Sequence, residues 1–276
     1  MIAPTPSRDR NGTRTRNRAR NRTWNRTWVK GRGTSGGVPV EAVVPPVRRP
    51  FVAVFRALIV LAAVTGVVID LVIGDPLRVL SYFTVQSNVL VAVVLSLAAW
   101  RSWEGRPPLP PWLTAGTLLF ITITGLVYHF VLANDASGFS MTEGAAALSG
   151  WHSASNQLLH TVTPVGVALD WLLLTRPGGL RLRHAGLWLL YPLAYLAFAL
   201  TRGALMSPGP MSRYPYPFLD VDLHGYTGVL GNAVIFGLAF YALALLIVGL
   251  DRVRPVPRAP GSGPPKTGFR LRPPVR

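Results

Sequence analysis

Ser155–Leu174, SNQLLHTVTPVGVALDWLLL, is long and apolar enough to cross a bilayer, yet it carries Asn156, His160, Thr163 and Asp170. At about 100° per residue these four side chains fall on one helix face, within roughly 80° of each other. A lipid-facing helix cannot tolerate such a stripe. Ionisable groups at membrane depth are expensive, face a bundle interior, and are read as functional by default. The rest of the chain makes sense as an all-α bundle of membrane helices built around that stripe.

Composition agrees. Half of the 276 residues are hydrophobic and 14% are charged, against about 25% charged in soluble domains. A net charge of +17 would by itself suit nucleic acid, but most of the excess sits at the two ends of the chain. Membrane lipids, not nucleic acid, are therefore the expected partners. Cysteine is absent, which excludes disulfides, thiolate metal sites and a cysteine nucleophile.

Residues 1–50 hold twelve Lys/Arg against Asp9 and Glu41 and include the tandem NRTWNRTW at Asn21–Trp28. Such a tract buries too little apolar area to offset its ordering entropy, so it reads as a disordered basic tail, as does 251–276. Arg48-Arg49-Pro50 resembles a twin-arginine export signal, but the apolar run behind it is too long and lacks a small-residue cleavage site. It is the first span. Six apolar windows of spanning length run over about 51–73, 79–100, 112–133, 154–174, 186–206 and 226–250. An even number of spans puts both termini on one side. Short loops on that side carry Arg101, Arg106, Arg176, Arg181 and Arg183, and the opposite loops only Arg78 and Arg213. The positive-inside rule then makes both termini cytoplasmic in a multi-pass plasma-membrane protein.

Polar residues gather in the outer half of the spans. They include Asp70, the Ser81/Thr84/Ser87/Asn88 stripe, His129, Asn156, His160, and a face of span five with Tyr191, Tyr195 and Arg202. Their shared depth predicts one outward-opening polar cavity. Asp170 lies deeper and is expected to pair with a group towards the inner leaflet. Thr84 and His160 each lie about five or six residues inside the outer boundary, roughly 8–9 Å deep. A threonine hydroxyl becomes a nucleophile only beside a base, and a neutral imidazole is the usual one.

FTVQSN in span two, NQLLHTVTP in span four and RYPYPFLD at Arg213–Asp220 together resemble a family of bacterial, mostly actinobacterial, six-span membrane proteins. These look like distant relatives of the androgen-induced membrane proteins, hydrolases of fatty acid esters of hydroxy fatty acids. The resemblance covers about 51–250. It implies a threonine nucleophile at Thr84, after Phe83, and a histidine at His160 in the Asn156-x-x-x-His160-Thr161 setting, with Tyr216-Pro217-Phe218 as a third matching motif. Gln86-Ser87-Asn88 and Asp170-Trp171 depart from the eukaryotic pattern. On that basis His160 takes the proton of Thr84, whose oxygen attacks a lipid ester. Asn88 or Asn156 donates to the oxyanion, Asp70 orients the imidazole and Arg202 supports the site. No cofactor is implied.

Two other readings stand beside this one. Asp220, Asp222 and His224 alternate in DVDLH, and four histidines (129, 152, 160 and 224) lie near the outer face, a composition that suits a divalent metal. Alternatively the cavity belongs to a non-enzymatic binding or transport protein.

Overall fold

A computed structural model describes residues 47–141, 150–207 and 213–255. The two basic tails, apart from Val47–Pro50 and Asp251–Pro255, lie outside the described residues. Six helices are long and apolar enough to cross a membrane: α1 (Pro50–Ile73), α2 (Phe83–Glu104), α3 (Pro111–Leu132), α4 (Gly150–Leu174), α5 (Leu182–Leu205) and α6 (Val221–Val253). No strand occurs among the described residues. This is the architecture of a multi-pass integral membrane protein.

Local chemistry sets the helix ends. Pro50 and Pro111 open α1 and α3, where proline's fixed φ and missing N–H cost nothing. Gly105 ends α2 in the left-handed region at φ 72°, the usual glycine stop. Gly225, at φ 63° and ψ 170°, breaks α6 near its start, so the uninterrupted helix begins at 226.

The second span departs from its expected window. Pro76–Val79 forms a separate turn of helix capped by Asp75, which accepts from the Arg78 N–H at 2.8 Å. Tyr82 is extended, and α2 starts only at Phe83. Ser81 therefore leaves the polar stripe and bonds the Arg78 carbonyl at 2.6 Å. Thr84 is the second residue of its helix rather than the fifth or sixth. The first N–H groups of a helix have no intrahelical partner, which matters below.

Helix α1 packs most extensively along α2, and α4 lies against α1 and α3. The most enclosed span is α3, 61% buried over its apolar window, against 33% for α4 and 17% for α6. Hydropathy does not put α3 there, since α1 and α6 are more apolar, with mean hydropathy 2.6 against its 1.8, and less enclosed. Small residues let its neighbours approach: a Cβ on Gly125 would lie 3.2 Å from both the His160 carbonyl and Pro164. Helices α5 and α6 touch each other and the rest only lightly.

At one end of the bundle Arg56 and Asp170 form a buried two-pronged ion pair, Nε–Oδ1 2.8 Å and Nη2–Oδ2 3.3 Å. Arg56 Nη1 also donates to Ser102 Oγ (2.8 Å) and the Ala98 carbonyl (3.3 Å). Asp170 thus has the partner its depth called for. Nearby, Asp251 accepts from the Gly178 and Leu180 N–H groups and pairs with Arg254, whose guanidinium lies 3.7 Å over the Trp171 ring. The end of α6 is tied in this way to the α4–α5 connection.

Candidate active site

At the opposite end, Thr84 Oγ1 and His160 Nε2 are 3.2 Å apart. Two features of α4 put the imidazole there. Leu158–Val162 is a π-helical turn, in which the Thr163 N–H bonds the Leu158 carbonyl. Pro164 follows and has no N–H. The Leu159 carbonyl is thereby left without a donor in its own helix, and Asn88 Nδ2 of α2 supplies one at 3.3 Å. The helix is locally widened next to His160 and stitched to α2 there. Such π-turns occur often at functional sites.

The second ring nitrogen settles the chemistry of the first. His160 Nδ1 lies 3.1 Å from the Asn156 carbonyl oxygen. A carbonyl only accepts, so Nδ1 carries the proton and Nε2 of the neutral ring is the bare acceptor. The Thr84 hydroxyl donates to it. Tyr128 stacks on the imidazole at 4.1 Å between centroids and holds the ring plane.

The remaining sequence-derived site residues lie elsewhere in the network. Asp70 does not touch His160; it accepts a hydrogen bond from Ser155 Oγ, which also contacts the Gly66 carbonyl at 3.2 Å. Asn156 has its amide on the Tyr128 hydroxyl, so its backbone carbonyl, not Asp70, orients the imidazole. Asn88 Nδ2 is spent on the Thr84 (2.9 Å) and Leu159 carbonyls and is no oxyanion donor. Arg202 Nη1 donates to the Arg213 carbonyl at 3.0 Å, pinning the α5–α6 connection instead of reaching Thr84.

That connection supplies a group to which the sequence reading assigned no role. Tyr216 OH lies 3.3 Å from the Thr84 N–H and 3.4 Å from Thr84 Oγ1. Burial pushes its phenol up to about 12, so it carries its proton at neutral pH. Several contacts set its position. Arg213 pairs with Asp222 at 2.6 Å, Asp220 accepts from the Asp222 N–H, and Asn232 donates to the Phe218 carbonyl. Glycine at 203 admits the Tyr214 ring, which would lie 2.1 Å from a Cβ there. The aspartates of DVDLH are engaged as cap and ion pair. Among the described residues no three metal-ligating side chains converge.

The expected polar cavity takes a different form. A cavity of about 800 Å³ is lined by Thr84, Thr124, Tyr195, Tyr216 and Tyr241 and otherwise by apolar side chains, most of them from α3, α5 and α6. Much of the polar stripes is satisfied within the packed helices, as Ser87 Oγ–Thr124 Oγ1 at 2.7 Å and Asn88 on the Leu159 carbonyl illustrate. The space lies where packing is loosest. Leu193, Leu230, Val234 and Leu238 line it and are also exposed, so it opens sideways between α5 and α6.

In comparisons with known proteins, no family model, curated protein or solved structure matches the chain.

Proposed function

We propose that this is an integral membrane hydrolase of lipid esters, with Thr84 as nucleophile and His160 as general base. The observation that carries the reading is the Thr84 Oγ1–His160 Nε2 hydrogen bond, made by a ring whose other nitrogen is held protonated by a carbonyl. Nucleophile, base and orienting group stand in the order that activates a hydroxyl. Thr84 also lines a mostly apolar cavity of about 800 Å³, within the size range of small-molecule sites, and its sideways mouth suits an acyl chain arriving from the bilayer.

In the reaction His160 Nε2 takes the Thr84 proton as Oγ1 bonds to the ester carbonyl carbon. The carbon–alkoxide bond breaks, and the leaving oxygen takes the proton back from His160. Water, deprotonated by the same nitrogen, then adds to the acyl-Thr84 carbonyl carbon, the carbon–Oγ1 bond breaks, Oγ1 takes its proton back from His160, and the acid is released. The three motifs that resemble the androgen-induced hydrolases meet at this point, since Thr84, His160 and Tyr216 are joined by contacts of 3.2–3.4 Å. That convergence supports a distant relationship. A lipid-binding protein without chemistry would use the same cavity but has no need of an activated hydroxyl. A long-chain fluorophosphonate applied to the full-length protein in detergent micelles separates the two: an adduct mapped to Thr84 and lost in His160→Ala is expected. A protein that folds but takes no label at Thr84 overturns the hydrolase.

The same reading puts both termini in the cytoplasm of a bacterial cell and the Thr84 end of the bundle in the outer leaflet, on the arginine asymmetry of the short loops. The natural chain has no cysteine, so single cysteines report cleanly. Ala136→Cys should react with an impermeant maleimide in intact cells and Pro108→Cys should not. The reverse pattern would invert the orientation.

A further inference from the structure

Two groups lie within hydrogen-bond reach of Thr84 Oγ1: His160 Nε2 at 3.2 Å and Tyr216 OH at 3.4 Å. The Thr84 proton goes to the histidine, so the phenol faces a lone pair of the attacking oxygen and is the donor in that contact. The phenol oxygen in turn accepts the Thr84 N–H at 3.3 Å. Tyr216 and Thr84 both line the cavity, and His160 does not. The phenol is thus on the side from which a substrate carbonyl must approach, with the base behind the nucleophile. Both asparagine amides near the site are committed to other acceptors.

We propose that Tyr216 is the oxyanion donor of this site: its phenol O–H, with the Thr84 N–H beside it, hydrogen-bonds the negative oxygen that forms when Thr84 adds to an ester carbonyl. The inference rests on the hydrolase reading above. When Oγ1 bonds to carbon, the carbonyl π electrons move onto oxygen, and that oxygen lies within a bond or two of Oγ1. A small rotation carries the phenol from Oγ1 to the oxyanion and frees the Thr84 N–H to join it. No proton leaves the tyrosine, and the hydrogen bonds return to Thr84 as each tetrahedral species collapses. The ring is held for this task, stacked on Phe218 at 5.2 Å and 6° and edge-on to Tyr82 at 5.7 Å, with prolines on both sides in Tyr214-Pro215-Tyr216-Pro217. Donors placed in advance where charge develops are among the largest contributions to acyl-transfer rates.

The test is steady-state hydrolysis of p-nitrophenyl palmitate in detergent micelles by the full-length protein, its Tyr216→Phe variant, and protein with 2,3-difluorotyrosine at 216. Tyr216→Phe keeps the ring and should melt with the wild type. Its kcat should fall by about 10²-fold or more while KM stays within about 3-fold, the pattern of a lost oxyanion donor. Difluorotyrosine, a more acidic donor of nearly the same shape, should change kcat and leave KM and the melting temperature alone. A phenol that merely packs or caps α2 would move stability and not kcat. Wild-type hydrolysis with an unchanged kcat in Tyr216→Phe or in the fluorinated protein overturns the tyrosine's role and leaves the hydrolase standing. No hydrolysis and no fluorophosphonate adduct at Thr84 in folded wild type overturns both.

Discussion

Thr84→Ala and His160→Ala should each lower long-chain ester hydrolysis by roughly 10⁴-fold or more, the range seen when an acyl-transfer nucleophile or its base is removed. The double variant should be no slower than either single one. Without its base the hydroxyl is inert, and without the hydroxyl the base has nothing to activate, so the two losses cannot add. Thr84→Ser keeps the Oγ and should retain part of the rate. Stability cannot mimic this result. Thr84→Ala gives up hydroxyl contacts to His160 and Tyr216, together worth about 1–3 kcal/mol, and the rate is measured per folded molecule. Hydrolysis at the wild-type rate by well-folded Thr84→Ala would sink the mechanism and leave His160 as a structural histidine.

The second large effect is on stability and is independent of any activity. Asp170→Leu, or Arg56→Met, should destabilise the protein by about 3–5 kcal/mol, because either change strands a charge that is buried and unpaired. The pair is enclosed, with side-chain exposures of 9% and 4%. Arg56→Met with Asp170→Leu should recover most of that loss, since two apolar side chains then replace two charges and nothing is stranded. Thermal unfolding of helical signal in micelles measures all four proteins. Equal melting of the Asp170→Leu single variant and the wild type would show that the carboxylate does not depend on Arg56.

Much of this molecule was legible in its sequence. Six apolar windows predicted six spans because spanning length and hydropathy are properties of local sequence, and each helix falls within a few residues of its window. Thr84 and His160 stood at matched depth on two polar stripes and were paired by the resemblance, and they do meet, although Thr84 is the second residue of its helix. Pro76 and Asp75 build a small separate helix and delay the start of α2. Asp170 called for a group towards the inner leaflet, but nothing in local sequence singles out Arg56, one arginine in a strongly apolar helix, as that group.

The roles of neighbouring polar groups could not be read in the same way. Asp70, Asn88, Asn156 and Arg202 stood at suitable depths, yet each is satisfied by Ser155, backbone carbonyls, Tyr128 or the Arg213 carbonyl. Hydrogen bonds act over about 3 Å, and residue spacing along a helix does not resolve a choice among several partners within that distance. Local sequence determined helix, span and polar stripe, because apolar burial and backbone satisfaction in a membrane depend on composition over about 20 residues. Tertiary structure alone decided that the α5–α6 connection sets Tyr216 on Thr84, that a π-turn next to a proline turns His160 towards it, and that the open space is apolar. Each depends on how separate helices pack, and close packing is a property of the assembled bundle.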